Sequence, residues 1–279
     1  EIAQCLVGSE MCIRDRIFLV MVSGMGTIAG SVMGTYIGML GGTDPAAKVL
    51  FATHLLSASV MAVPGSIVLA KMLCPQTEEA TDHVAISGKE KENSNILDAI
   101  SSGTVTGVKL MTNIAAMLLV FISLVALANY ITEGVIGRYT GLNDWIVKIT
   151  DGKAQGLTFQ FILGVITSPF MWLIGVPSQD IMLVGSLLGQ KTILNEFVAY
   201  FQLQQWKDAG LFMYEKSILM STYILCGFAN ISSIGILLGG LGVLAPEKRG
   251  LISRIGVPAM IGGALVSVLS ATIIGMILG

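Results

Sequence analysis

Gly227-Phe-Ala-Asn-Ile-Ser-Ser-Ile-Gly235 sits at the centre of 217–246, a run without Asp, Glu, Lys or Arg. Drawn out as one α-helix, that run would reach about 45 Å at 1.5 Å per residue. The hydrocarbon core of a bilayer is only about 30 Å thick, so a straight helix overshoots unless it tilts strongly or breaks. Asn230, Ser232 and Ser233, flanked by Gly227 and Gly235, are what a break offers a polar ligand: an amide, hydroxyls and freed backbone groups. The competing use of these side chains, hydrogen bonding between helices, is worth only about 0.6 kcal/mol on average in membranes. The run is therefore expected to be a discontinuous transmembrane helix with a binding site at its break.

The preceding interval, 154–206, carries a second irregularity. It begins apolar, reaches Gly175-Val-Pro177, and continues through Ser178 to Tyr200 with Asp180, Lys191 and Glu196 on board. Pro177 and the glycines at 175, 185 and 189 discourage one straight span. A re-entrant hairpin with its tip in 189–195 avoids part of the cost of carrying three charges across, and irregular backbone at membrane depth needs protein or water beside it. Lys191 has an ordinary explanation as a snorkelling side chain, and Asp180 as a helix cap at the interface. Glu196 fits neither, because it follows Asn195 and precedes an apolar Phe-Val-Ala. An intramembrane carboxylate of this kind is a candidate for a substrate or ion pathway.

Towards the start of the chain, Gly26, Gly30, Gly34, Gly38 and Gly42 recur at every fourth position. Such a face lets another backbone approach closely. Close packing accounts for the stripe as a whole, while the neighbouring hydroxyls of Thr27 and Ser31 suit a ligand or ion site.

Composition agrees with these local readings. Of the 279 residues 12% are charged and 53% belong to AVILMFWYC, with a mean hydropathy of +0.78. A soluble chain needs about twice that charge, which excludes disorder and an ordinary soluble enzyme. The net charge of −2 provides no field that would draw in a nucleic acid. Uncharged runs at 17–43, 49–70, 110–132, 154–179, 217–246 and 255–279 are continuous rather than alternating, so helices and not a barrel are implied.

The expected organisation is two transmembrane helices in 17–74, an aqueous loop in 75–108 with a short amphipathic helix starting at Ile96, and a long transmembrane helix in 109–132. An aqueous connection in 133–153, an apolar helix plus the re-entrant hairpin in 154–201, and a loop in 202–216 follow. The broken helix in 217–246 and a last transmembrane helix in 252–279 complete it. Loop lysines and arginines divide seven against six, so charge does not fix orientation. The first sixteen residues, with Cys5-Leu-Val-Gly-Ser-Glu-Met-Cys-Ile-Arg-Asp15, read as an adaptor-derived, non-native segment. Cys74 and Cys226 then remain, far apart, and support neither a disulfide framework nor a metal site.

Four motifs in order carry a resemblance: 26–36 (GTIAGSVMGTY), 57–64 (SASVMAVP), 185–200 (GSLLGQKTILNEFVAY) and 227–235 (GFANISSIG). They resemble the concentrative nucleoside transporter family. The resemblance implies a cation-coupled importer of nucleosides in the plasma (inner) membrane, assembled as a homotrimer, moving substrate by an elevator motion of a transport domain. It implies that Glu196 accepts hydrogen bonds from ribose hydroxyls and that Asn230 and Ser233 complete the sugar contacts. Phe228 and Val32 would supply apolar contact near the base, with Ser31 as a further candidate beside Val32. Thr27 and Ile28 match positions that give sodium a hydroxyl and a main-chain carbonyl, the hard oxygen ligands such a cation requires. Thr27 favours sodium as the coupling ion, with the proton as the alternative; no cofactor is implied. The family's first hairpin has no counterpart in 17–279, so half of the binding site is in view.

Other chemistries lack their residues. His54 and His83 are the two histidines and have no paired metal spacing; Gly-x-Ser-x-Gly and an intramembrane aspartate pair are absent, so the sequence does not describe an enzyme. No potassium-type filter is present. The remaining alternatives are a transporter of another small polar solute and a non-transporting membrane scaffold.

Overall fold

The structure, a computed structural model, describes residues 2–75, 95–150, 152, 154–244 and 246–279. The described residues are 83% helical, and no strand occurs among them. The expected all-α architecture holds. Residues divide into two compact units, 1–78 with 160–279, and 79–159.

In the larger unit, α1 (Ile2–Gly26) and α2 (Gly30–Gly41) are followed by α3 (Pro45–Leu73). The first span, expected as a single helix, is thus two helices with 27–29 unwound. One tertiary and one local bond accompany the break: the carbonyl of Met25 accepts a 2.8 Å hydrogen bond from the Phe228 amide, and Thr27 Oγ1 donates back to the carbonyl of Ser23 at 2.9 Å. Both draw the local hydrogen bonding away from a continuous ladder. α1 runs without interruption past Arg16, and Cys74 Sγ donates to Asp15 at 3.0 Å. The α2–α3 corner is tight. Gly42 sits at φ 54°, a conformation that favours glycine. Asp44 then caps α3 by accepting from the amides of Ala46 and Ala47, with Pro45 in the first turn, where its missing N–H costs nothing.

The apolar helix and hairpin expected in 154–201 appear as α7 (Phe159–Leu173), α8 (Ile181–Ile193) and α9 (Glu196–Asp208). Glycines let α7 and α8 touch: a Cβ on Gly189 would lie 2.6 Å from Leu163 Cβ, and one on Gly185 2.7 Å from Thr167 Oγ1. The hairpin tip is narrower than expected, confined to Leu194 and Asn195, because α8 continues to Ile193. The loop expected in 202–216 shrinks to 209–214, since α9 turns its apolar residues inward; Leu203 is 0% exposed. The broken span is observed as α10 (Glu215–Leu225) and α11 (Ile231–Leu244), and α12 (Arg249–Ile277) closes the chain.

Two buried clusters hold this unit together. Tyr36, Leu40, Leu55, Leu187, Tyr200 and Ile224 belong to one; Met21, Met25, Ala229, Met260 and Val266 belong to the other. Outside, large apolar side chains stay uncovered, with Trp172 70% and Met276 77% exposed, as suits a surface facing lipid rather than water. Three helical stretches among the described residues, Arg14–Gly41, Pro45–Leu73 and Arg249–Ile277, are long and apolar enough to cross a membrane. The protein is an integral membrane protein.

The smaller unit is built on α4 (Ile96–Asn129), a π-helical turn (Tyr130–Gly137), α5 (Arg138–Thr140) and α6 (Leu142–Ile149). The short helix expected from Ile96 is instead the start of α4. Asn95 caps it through the Asp98 amide at 2.9 Å, and no proline interrupts 96–129. The first part of the expected 75–108 loop, 76–94, lies outside the described residues. Asn143 knits the far end: its side chain donates to the Glu133 carbonyl and accepts from the Leu157 amide, both at 3.0 Å.

Candidate functional site

Three irregular points of the larger unit meet. The first is the gap between α1 and α2, the second the gap between α10 and α11, and the third the hairpin tip. The two gaps touch through the Phe228–Met25 bond. Gly227, at φ 146°, lies so close that an added Cβ would stand 3.0 Å from the Gly26 carbonyl oxygen. Behind them α12 presents another glycine: a Cβ on Gly263 would fall 2.6 Å from Met25 Cβ and 3.2 Å from Ala229 Cβ. Small residues in α12 therefore allow two broken helices to cross at their breaks.

Glu196 and Asn230 are joined directly. The Asn230 side-chain amide donates to Glu196 Oε2 at 2.8 Å, linking the hairpin to the broken span. Each has a reason for its place. Asn195 caps α9 by accepting from the Val198 amide at 2.9 Å, so Glu196 is the first residue of that helix. Asn230 caps α11: its Oδ1 accepts from the Ser233 amide at 2.8 Å and from Ser232 Oγ at 2.6 Å. Ser233 reciprocates, its Oγ accepting from the Asn230 amide at 3.1 Å and donating to the Asn230 carbonyl at 2.6 Å. This is the reciprocal logic of a capping box with serine in place of the usual acid.

The hydrogen-bond inventory that remains is specific. Glu196, which also accepts from its own backbone amide, keeps further lone pairs as acceptors, Asn230 keeps one amide proton as a donor, and Ser233 keeps one lone pair. Ser233 is 0% exposed. Phe228 is half-buried in the same gap.

The residues expected at the other break are less enclosed. Thr27 and Ile28 lie in the unwound segment and are half-buried; Ser31 is exposed on the first turn of α2 and Val32 half-buried beside it. Ile28 and Val32 pack against the buried cluster that contains Tyr36 and Tyr200. Those two rings stack at 4.0 Å, and Tyr200 Oη donates to the Thr222 carbonyl at 2.9 Å, a contact with no signal in the sequence pattern.

Lys191 and Asp180 do something other than snorkel or cap their own helix. Lys191 is 0% exposed, with Nζ donating to the Ile224 carbonyl at 2.8 Å and to Ser267 Oγ at 2.7 Å. Asp180, also 0% exposed, accepts from the Met213 amide at 3.1 Å and the Tyr214 amide at 3.1 Å. A separate, shallow cavity of about 370 Å³ in the smaller unit is lined by Asn129, Tyr130, Glu133, Arg138 and Asn143. None of the candidate residues belongs to it.

The model of the Na+ dependent nucleoside transporter C-terminus matches residues 54–275. The chain belongs to this nucleoside transporter family. It is 36% identical over 267 residues to the nucleoside permease NupC of Helicobacter pylori, covering 95% of this chain and 58% of that protein. To sodium/nucleoside cotransporter 1 of Rattus norvegicus it is 37% identical over 277 residues, covering 94% of this chain and 39% of that protein. The solved structure of CNTnw in an inward-facing substrate-bound state superposes with a TM-score of 0.76 at 35% identity, covering 94% of this chain and 57% of that one. The chain thus spans less than two thirds of the length of each of these relatives. The family is one of transporters and not of enzymes.

Proposed function

We propose that this chain forms the C-terminal portion of a cation-coupled nucleoside importer of the plasma (inner) membrane, with sodium as the coupling ion. The observation that carries the reading is the 2.8 Å bond between Glu196 and Asn230. It holds a carboxylate and a carboxamide side by side with acceptors and one donor unspent, the complement of two adjacent sugar hydroxyls. Ser233 adds its remaining lone pair and holds Asn230 in orientation. Phe228 and Val32 offer the apolar wall that a flat base needs, and Ser31 stands beside it.

The coupling ion is assigned to Thr27 and Ile28. Thr27 Oγ1 spends its proton on the Ser23 carbonyl, so its lone pairs remain for a cation. The last carbonyls of α1 lack ladder partners and lie at the negative end of its dipole. Hard oxygen donors at such a position suit sodium. Homotrimeric assembly and elevator motion belong to the same reading through the family.

The test is uridine uptake by a full-length transporter bearing this chain. Glu196→Ala is expected to abolish uptake while the protein still inserts into the membrane. Uptake at the wild-type rate would instead favour a scaffold, and uptake of a different polar solute lost in the same variant would move the substrate class. Replacing the sodium gradient with a proton gradient separates the two coupling ions.

A further inference from the structure

Glu196 leaves the hairpin at its tip, and Asn230 leaves the broken span just past its gap. A hydrogen bond of 2.8 Å between them survives only if both supports keep their places to within a few tenths of an ångström. Lys191 lies on the same hairpin, five residues before Glu196.

Its Nζ reaches two elements at once. Ile224 is the penultimate residue of α10, so its carbonyl is among the last four that lack a ladder partner and stands at the negative end of the dipole. Ser267 lies on α12, one turn beyond the Gly263 that packs against Met25 and Ala229. One ammonium therefore ties α8, the first half of the broken span and the helix behind both gaps. At the other end of α8, Asp180 holds the amides of Met213 and Tyr214, which lead into α10. From Asp180 to Lys191 is about 16 Å of helix, and from Tyr214 to Ile224 about 15 Å. The two helices run parallel and are pinned at both ends by side chains of one of them.

Burying an ammonium costs more than letting its flexible stem carry it to the membrane surface, unless its donors are met by good acceptors. Its inward course indicates a task. We infer that Lys191 is a positioning residue for substrate binding: by fixing α8 against the C-terminal end of α10 and against Ser267, it sets the approach of the Glu196 carboxylate to the Asn230 amide. The inference rests on the nucleoside reading above for its substrate.

Uptake kinetics and amide hydrogen exchange on the full-length transporter test it. Lys191→Met is expected to raise the KM for uridine about tenfold, with Vmax per inserted transporter little changed, as loss of hydrogen bonds from one charged group predicts. Ser267→Ala removes one of the two acceptors and is expected to raise KM about threefold, a milder variant for the case in which Lys191→Met fails to insert. Without nucleoside, exchange across 222–230 is expected to quicken in both variants. Unchanged KM in the variant that inserts, a loss confined to Vmax, or wild-type exchange across 222–230 would each overturn the inference. If the wild-type protein takes up no uridine, the nucleoside reading fails instead, and the exchange measurement still decides the role of Lys191.

Discussion

The two helix breaks that cross at the site are finished differently. Past the second gap, α11 begins with Asn230 and Ser233 capping one another, and Cys226, Ala229 and Asn230 are buried. Past the first gap, α2 begins at Gly30 after Ala29, which supplies no side-chain cap, and Ala29, Gly30 and Ser31 are exposed. One break is sealed by its own side chains, and the other is left open. The sealed break holds side chains rigidly enough to recognise a shape. The open one leaves the oxygens that close α1, other than the bonded Ser23 and Met25 carbonyls, and the amides that begin α2 to something small.

If that division is right, the sealed break is where a single substitution does most damage. Asn230→Ala removes the α11 cap, worth about 1 kcal/mol, and also takes from Glu196 its side-chain donor. Uridine uptake by the full-length transporter is expected to fall about a hundredfold, as befits a half-buried carboxylate losing its side-chain partner together with a direct sugar contact. An effect no larger than that of a lost cap would mean that Asn230 only ends a helix, and the two breaks would then differ in stability alone.

Gly227 tests whether the breaks depend on each other. Its φ of 146° and the 3.0 Å approach to the Gly26 carbonyl leave no room for a side chain without moving one helix. Gly227→Ala is expected to lower stability by about 3 kcal/mol, through backbone strain and overpacking together. Thermal unfolding of the purified transporter would report it. If the Phe228–Met25 bond is what unwinds 27–29, exchange of the amides across 27–33 changes in the same variant. Altered exchange restricted to 222–230 would show the first break to be independent.

The difference in finish also explains what the sequence revealed. The second break was legible because Asn230, Ser232 and Ser233 stand out in an uncharged run longer than a membrane is thick, and Glu196 because a carboxylate followed by Phe197-Val198-Ala199 has no cheap explanation. The first break was hidden. Gly26 to Gly42 at every fourth position reads as one continuous helical face, and the tertiary bond that accompanies its break comes from Phe228, far along the chain. Lys191 was visible as a charge, yet its acceptors are a carbonyl, which every residue has, and a serine on another helix. The polar composition of 202–208, with three glutamines, a lysine and an aspartate, reads as loop, although Tyr200 and Leu203 beside it are wholly buried.

The smallest expected effect sharpens the contrast most. Ala29 already has the extended backbone of an N-cap, at φ −72° and ψ 134°, so a serine there could accept from the α2 amides without rearrangement. The Ala29 carbonyl accepts from Val32 and Met33, so among the first-turn amides such a cap would take that of Ser31. Ala29→Ser is expected to raise stability by about 1 kcal/mol, within the range of natural caps, read as a higher midpoint in thermal unfolding. Sealing this end should also weaken sodium-driven uptake severalfold, because a more rigid first turn constrains Thr27 and Ile28. A midpoint unchanged from wild type would mean that these amides are already satisfied. The open break would then be open only in outline, and the division of labour between the two gaps would have to be drawn from their side chains instead.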